Sequence, residues 1–306
     1  MKKALLLSIG LILHLSVFGQ DHHRYTTLKL PPTTAERIEQ LDLDCSEVSQ
    51  LKKSIGGFSS LKSFYLKGCG INKVPQGIHK AQKLTLLNLQ NNQLSKLPKN
   101  LKNLSNMRVI NLRNNQFKEL PKVLTLLPRL RELDLAGNAQ LDLSESISVL
   151  TGIEQLDFLY LSGINLKSLP ASFSLLKALE ELHLGQNPNL DLKSTFTVLS
   201  QLPQLVILEL AESELIDLPN EVQLMTQLNG LVLDQNPGLK LESLFQHMES
   251  LKNLKTLVLR NNGLKTLPKQ LDVLKQLVVL DLGGNAFDEA EQNRIKSALP
   301  DTWVIF

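Results

Sequence analysis

The chain has 306 residues, of which only 5% are aromatic, and its formal net charge is +3. Removing Lys2 and Lys3 with the first segment lowers that charge to +1, so charge gives no case for nucleic acid or an acidic membrane as partner. Length alone would allow two domains, but the repeats that fill the chain argue for one elongated body.

Residues 1–19 read as a secretory signal peptide. Lys2-Lys3 form its basic start, Ala4 to Phe18 its apolar run, and Val17-Phe18-Gly19 a cleavage site before Gln20. The run is interrupted by His14 and is short for a membrane span, and no later run is long and apolar enough to be one. Residues 20–37 are an N-terminal adapter. Asp21-His22-His23-Arg24 is a leader whose His pair has no third ligand in view. Pro31-Pro32 is a break, and Thr34 is placed to cap a short turn through Glu36-Arg37.

Coils follow over residues 38–306. They start at Ile38, Leu61, Leu84, Met107, Leu130, Leu156, Leu179, Leu205, Leu228, Leu254 and Leu277. The first four are 23 residues long, and from Leu130 lengths of 26 and 23 alternate. In Leu84 to Pro98, Leu84, Leu87 and Leu89 are followed by Asn92, Leu94 and Leu97-Pro98. The string returns as Met107, Ile110, Leu112, Asn115, Phe117 and Leu120-Pro121, and again from Leu254 to Leu267-Pro268. A fixed period of this size means a solenoid, because one coil cannot bury its apolar residues alone. The Leu positions fit a short strand with its apolar side chains turned inward. The Asn position, filled by Asn92, Asn115, Asn138, Asn187, Asn236, Asn262 and Asn285, turns the chain. Its amide can satisfy backbone groups of adjacent coils. Ser46, Cys69, Ile164 and Ser213 depart from it. Ile164 cannot bridge coils, although Asn165 beside it has the chemistry to do so. The 26-residue coils replace Leu-Pro with LDLSESISVL, LDLKSTFTVL and LKLESLFQHM. These read as short amphipathic helices starting at Ser144, Ser194 and Ser243. The chain ends in a cap, residues 286–306, made of a helix from Glu289 to Leu299 and a last segment from Trp303 to Phe306.

The pattern L-x-x-L-x-L-x-x-N-x-L with a following L-P resembles the leucine-rich repeat family, in its 23-residue class. The resemblance covers Ile38 to about Pro300. It implies an α/β solenoid: a curved horseshoe with a parallel β-sheet on the concave face and short helices or turns on the convex face. It also implies a module that binds a protein or peptide on its concave sheet, without cofactor or catalytic role; the leader at residues 1–19 adds export, and a monomer is expected. The alternatives are an envelope structural or adhesive protein that binds a glycan or host surface, or a cytoplasmic signalling scaffold if the N-terminus stays uncleaved. Cys69 occupies the Asn slot, which the family also fills with Cys, and Cys45 points outward. Two unpaired thiols are therefore expected, although export permits a disulfide. The Cys-rich end caps of animal extracellular members are missing. That points to a bacterial envelope, periplasmic or secreted protein.

Other signals are weak. Leu299-Pro300-Asp301-Thr302-Trp303 lacks the Gly of a sortase motif, and Asn103-Leu104-Ser105 is a bare glycosylation triplet. No phosphate-cradling loop, zinc spacing or nucleophile elbow occurs, and His79, His183 and His247 fall in different repeats.

The repeat register makes the outward face legible. One outward row carries Asp134, Tyr160, His183 and Glu209, and the row before it Glu132, Phe158, Glu181 and Ile207. A third row is small: Ala136, Ser162, Gly185 and Ala211. These describe a shallow acidic-aromatic trough, flanked by Tyr65, Lys67 and Arg113 on one side and Arg260 on the other. Tyr160 and Phe158 are anchor types, and the carboxylates favour a basic or polar extended segment. The competing reading is an ordinary solvated sheet face.

Overall fold

The computed structural model describes residues 25–306. The expected leader at 1–19 and Asp21-His22-His23-Arg24 lie outside the described residues. The chain falls into two compact units, one of residues 25–115 with 121–130, the other of 116–120 with 131–306.

The first unit holds strands β1 (Gln40–Asp42), β2 (Ser63–Tyr65), β3 (Leu86–Asn88) and β4 (Val109–Asn111). They pair in parallel in chain order, with Leu41, Phe64, Leu87 and Ile110 in one row. Leu41, Leu61, Leu84, Leu87, Leu89 and Ile110 are wholly buried, each stabilising by roughly 1.5–3 kcal/mol. Pro98 and Pro121 lead into 3-10 helices at Lys99–Asn103 and Lys122–Leu126, where a missing N–H is harmless. At the open N-terminal edge, the backbone oxygens of Tyr25 and Thr26 accept from the amides of Asp42 and Asp44. Glu47 fastens this cover: its carboxylate accepts from Thr27 Oγ1 and from the Leu28 amide, both at 2.6 Å. The turn expected around Thr34 is a short helix, α1 (Pro32–Ala35), entered through Pro31 without a side-chain cap, so Thr34 lies inside it. A second short helix, α2 (Leu51–Ser54), follows a 3-10 turn over Cys45–Gln50.

Asn92 joins its own coil to the one before it. Its Nδ2 donates to the carbonyls of Leu66 (2.8 Å), Leu89 (2.9 Å) and Gln90 (3.2 Å), and its Oδ1 accepts from the amides of Cys69 and Ile71. Asn91 and Asn114, just before the ladder position, take left-handed backbone, as do Gln186 and Asn261 in the second unit.

The two cysteines correct the expectation of free thiols: Cys45 and Cys69 form a disulfide. Cys69 is only half-buried and Cys45 is exposed, because the first coils leave the Asn slot open to the surface. Stacking then brings their Cα atoms to 5.2 Å, close to the spacing of neighbouring strands, about 4.8 Å.

The second unit holds β5 (Glu132–Asp134), β6 (Phe158–Tyr160), β7 (Glu181–His183), β8 (Ile207–Glu209), β9 (Gly230–Val232), β10 (Thr256–Val258), β11 (Val279–Asp281) and β12 (Trp303–Ile305). Each pairs in parallel with the next. The 26-residue coils carry the expected helices: α3 (Leu143–Leu150), α4 (Leu192–Leu199) and α5 (Leu241–Met248). Their starts lie earlier than the serines. Asp142 caps α3 by accepting from the Ser144 and Glu145 amides, and Asp191 caps α4 by accepting from Lys193. Lys240 holds that place in α5 and makes no cap. Ile164 is buried in the Asn slot, and Asn165 Nδ2 reaches the Ala139 carbonyl at 3.0 Å instead. The closing helix is α6 (Glu289–Ala298), capped by Asp288. After it β12 adds to the sheet edge with Trp303 exposed, while Phe306 packs edge-on to Phe287 at 5.7 Å. No helix among the described residues is long and apolar enough to cross a membrane.

Candidate functional site

The parallel register of β5 to β8 sets the outward residues in two rows. Glu132, Phe158, Glu181 and Ile207 form one, and Asp134, Tyr160, His183 and Glu209 the other. Alternation along each strand is enough to put all eight on one face. The unit therefore brings together every trough residue expected from β5 to β8.

His183 is the hub. Its Nε2 lies 2.6 Å from Glu181 Oε1 and its Nδ1 3.4 Å from Glu209 Oε2. Its ring stacks on Tyr160 with centroids 4.4 Å apart. Burial works against the imidazolium, but the hydrogen bonds it donates to Glu181 and Glu209 outweigh it and lift the His183 pKa to about 9. Burial also acts on Glu132: with the charges of Asp134 and Glu181 it pushes that carboxyl up to about 7. Burial and the Glu132 charge hold the Tyr160 phenol well above its usual range.

Glu209 has a different part from its neighbours. One carboxylate oxygen accepts from the Ala211 amide at 2.7 Å, and the other from the Gly185 amide at 3.2 Å and Ser162 Oγ at 3.4 Å. A Cβ on Gly185 would meet Glu209 Oε1 and the Ala211 carbonyl oxygen, the latter at 2.6 Å. The row of small residues is thus where Glu209 folds down, and Gly185 makes the room. Glu181 is 3% exposed, and its Oε2 accepts from no protein donor among the described residues. That oxygen is the unspent acceptor of the face.

Two of the three cations expected beside the trough, Arg260 and Lys67, are ion-paired within their own units. Arg260 pairs with Asp234 at 2.7 Å. In the first unit Lys67 lies 3.4 Å from Asp42 and 5.4 Å above the Tyr65 ring, and the Arg113 amide donates to Asn111 Oδ1. Sequence reasoning missed Asp157, at the start of the coil that carries Tyr160. It is buried and paired with Arg131, and burial raises its carboxyl although Arg131 works against the shift. Its signal is an acid facing an Arg in the preceding coil. Among the described residues no group of three His, Cys, Asp or Glu is arranged to hold a metal ion.

Residues 82–139 match the sequence model of a family described as leucine rich repeat. No curated protein matches. Among solved structures, an internalin from Listeria monocytogenes is 19% identical, with 90% of this chain and 86% of that one covered, at a TM-score of 0.52. A leucine-rich repeat protein of Leptospira interrogans is 21% identical over 93% of this chain and all of that one, at a TM-score of 0.35. The internalin supports the fold alone. The matched segment carries leucine-rich repeats, and the ladder asparagines with the parallel strands at one per coil give both units the leucine-rich repeat fold.

Proposed function

We propose that this chain is an exported interaction module that binds an extended, basic protein or peptide segment on the β5–β8 face. The observation that carries this reading is the Glu181 carboxylate, buried beside His183 with one oxygen lacking a protein donor. A buried carboxylate oxygen without a donor is costly, by about 1–3 kcal/mol or more, and a Lys or Arg side chain supplies the missing donor with matching charge. Glu132, which is held back from ionising, adds to the demand for a cation. Tyr160 stacked on His183 offers a ring platform of the kind that anchors interfaces. Phe158 and Ile207 flank Glu181 in its row. Asp134 and Glu209 extend the acidic surface, although Glu209 is largely engaged in holding its own turn. The Cys45–Cys69 bond supports export to an oxidising compartment: the periplasm, the cell surface or the medium.

The test is binding to an array of extended peptides, each made with Lys or Arg and again with norleucine at the same place. Wild-type chain is expected to prefer the cationic members, and Glu181→Gln to lose about tenfold or more of that preference. Equal binding by wild type and Glu181→Gln, or no preference for cations, would sink the reading.

A further inference from the structure

The net charge conceals a separation. Between Glu47 and Glu119 the sequence has thirteen Lys or Arg residues and not one Asp or Glu. The near-neutral average, which gives no case for an anionic partner, does not describe this stretch.

The first unit gathers part of that charge at two adjoining concavities. They lie on the chain that follows the strands of three successive coils. The larger, of about 810 Å³, is lined by Lys52, Lys73 and Lys96. The smaller is lined by Lys52 again, with Lys80 and Lys99. Lys52, Gln76 and Pro98 border both, so the two form one surface. All five lysines are exposed, and among the described residues none makes an ion pair. Lysines nearer the strands differ: Lys62 pairs with Glu39, and Lys67 with Asp42. Lys73 and Lys96 hold the same place in consecutive coils, 23 residues apart, and coils stack at about 4.8 Å. Like charges at that spacing repel one another, and a polyanion lying across the coils relieves the repulsion.

We propose that this surface binds an anionic polysaccharide chain bearing sulfate, phosphate or carboxylate groups. Three features choose that class. No Phe, Tyr or Trp lines either concavity, and the one ring there, His79, is tied through Nδ1 to Asn100, so there is no row of stacking platforms for successive nucleic-acid bases. No exposed large apolar residue lies in the lining, so there is no wedge for a lipid surface. The amides of Asn72, Gln76 and Asn100 stand among the lysines, with donors and acceptors suited to sugar hydroxyls. The Cys45–Cys69 bond fixes two of the three coils and belongs to compartments where such chains are found. The proposal is independent of the β5–β8 face.

The experiment is binding of the full chain to immobilised heparin and to dextran sulfate, with neutral dextran as control. Wild type is expected to bind both charged chains at about 0.15 M salt, to release them as salt rises, and to ignore neutral dextran. Lys73→Glu with Lys96→Glu is expected to weaken binding by about tenfold or more. Lys265→Glu with Lys269→Glu, equally exposed and elsewhere in the chain, is expected to leave it within about twofold. Should the reversal variant fold poorly by circular dichroism, Lys73→Gln with Lys96→Gln carries the same expectation. Failure of wild type to bind the charged chains would overturn the proposal, and so would equal loss in the control pair. Tighter binding to duplex DNA or to phosphatidylglycerol vesicles, lost with the same lysines, would reassign the surface and overturn the polysaccharide.

Discussion

Glu132 and His183 both hold a proton more readily in the folded chain than outside it, with pKa values raised to about 7 and about 9. A raised folded value means stability that is complete below the unfolded value and lost as pH climbs through the folded one. For Glu132 that window runs from its ordinary 4.5 to about 7, and for His183 from 6.5 to about 9. Glu132→Gln keeps the neutral shape and removes the first loss. At pH 8 the variant is expected to be more stable than wild type by on the order of 2 kcal/mol, and at pH 4 equal to it. Melting curves at the two pH values check this, and a variant less stable at pH 8 contradicts it. A bound cation beside Glu132 would draw its proton off, so affinity for a basic peptide should rise between pH 5.5 and 8. Asn187 offers a second residue-scale test. Its Nδ2 donates to the carbonyls of Leu161, Leu184 and Gly185, and its Oδ1 accepts from the Leu166 amide. Asn187→Ala strands these groups and is expected to lower stability by roughly 1–3 kcal/mol in urea unfolding. Asn187 and the eight face residues were legible in the sequence because their places follow from the period. The charge states of Glu132 and His183 and the folding of Glu209 onto Gly185 were not. They depend on side-chain rotamers and mutual burial, which a period of 23 does not encode.

At the scale of one element, the three long coils differ by a single cap. The segments LDLS, LDLK and LKLE align Asp142, Asp191 and Lys240 ahead of α3, α4 and α5. The two aspartates accept from helix amides, whereas Lys240 places a cation at the positive end of α5 and accepts nothing. Its backbone is already extended, as at the other two caps, with φ −80° and ψ 104°. Lys240→Asp should therefore gain a cap without rearrangement and stabilise the chain by about 1 kcal/mol, seen as a higher urea midpoint. An unchanged or lower midpoint would show that α5 is held by the burial of Leu244, Phe245 and Met248 alone. The helices were legible from Phe196 with Leu199 and Leu244 with Met248, but their starts were not. Serine and aspartate are both good caps, and LDLS offers one of each two residues apart. The choice falls to Asp142 because Ser146, four residues on, faces inward and accepts from the Leu120 amide at 3.0 Å.

Over the whole molecule, a stack of coils draws its stability from each coil and its nearest neighbours. A cross-link between two coils should therefore act where it is. The Cys45–Cys69 bond closes a loop of sequence separation 24 and is worth about 3 kcal/mol through the unfolded chain. The sequence favours two free thiols here, since an exposed Cys beside a ladder-slot Cys pairs only when the slot itself is shallow. It hid the basic stretch for a related reason: a net charge sums over coils that the solenoid keeps apart. Cys45→Ser with Cys69→Ser is expected to raise amide exchange in β1, β2 and the turns that follow them. Exchange in β7 to β11, many coils away, is expected to stay as in wild type. Hydrogen exchange read peptide by peptide decides between this and the alternative. If protection fell equally in all strands, the coils would unfold as one cooperative body, and local energetics would not describe the chain. If protection fell nowhere, Glu47 with its bonds to Thr27 and Leu28 would suffice to hold the N-terminal edge, and the disulfide would be dispensable for stability.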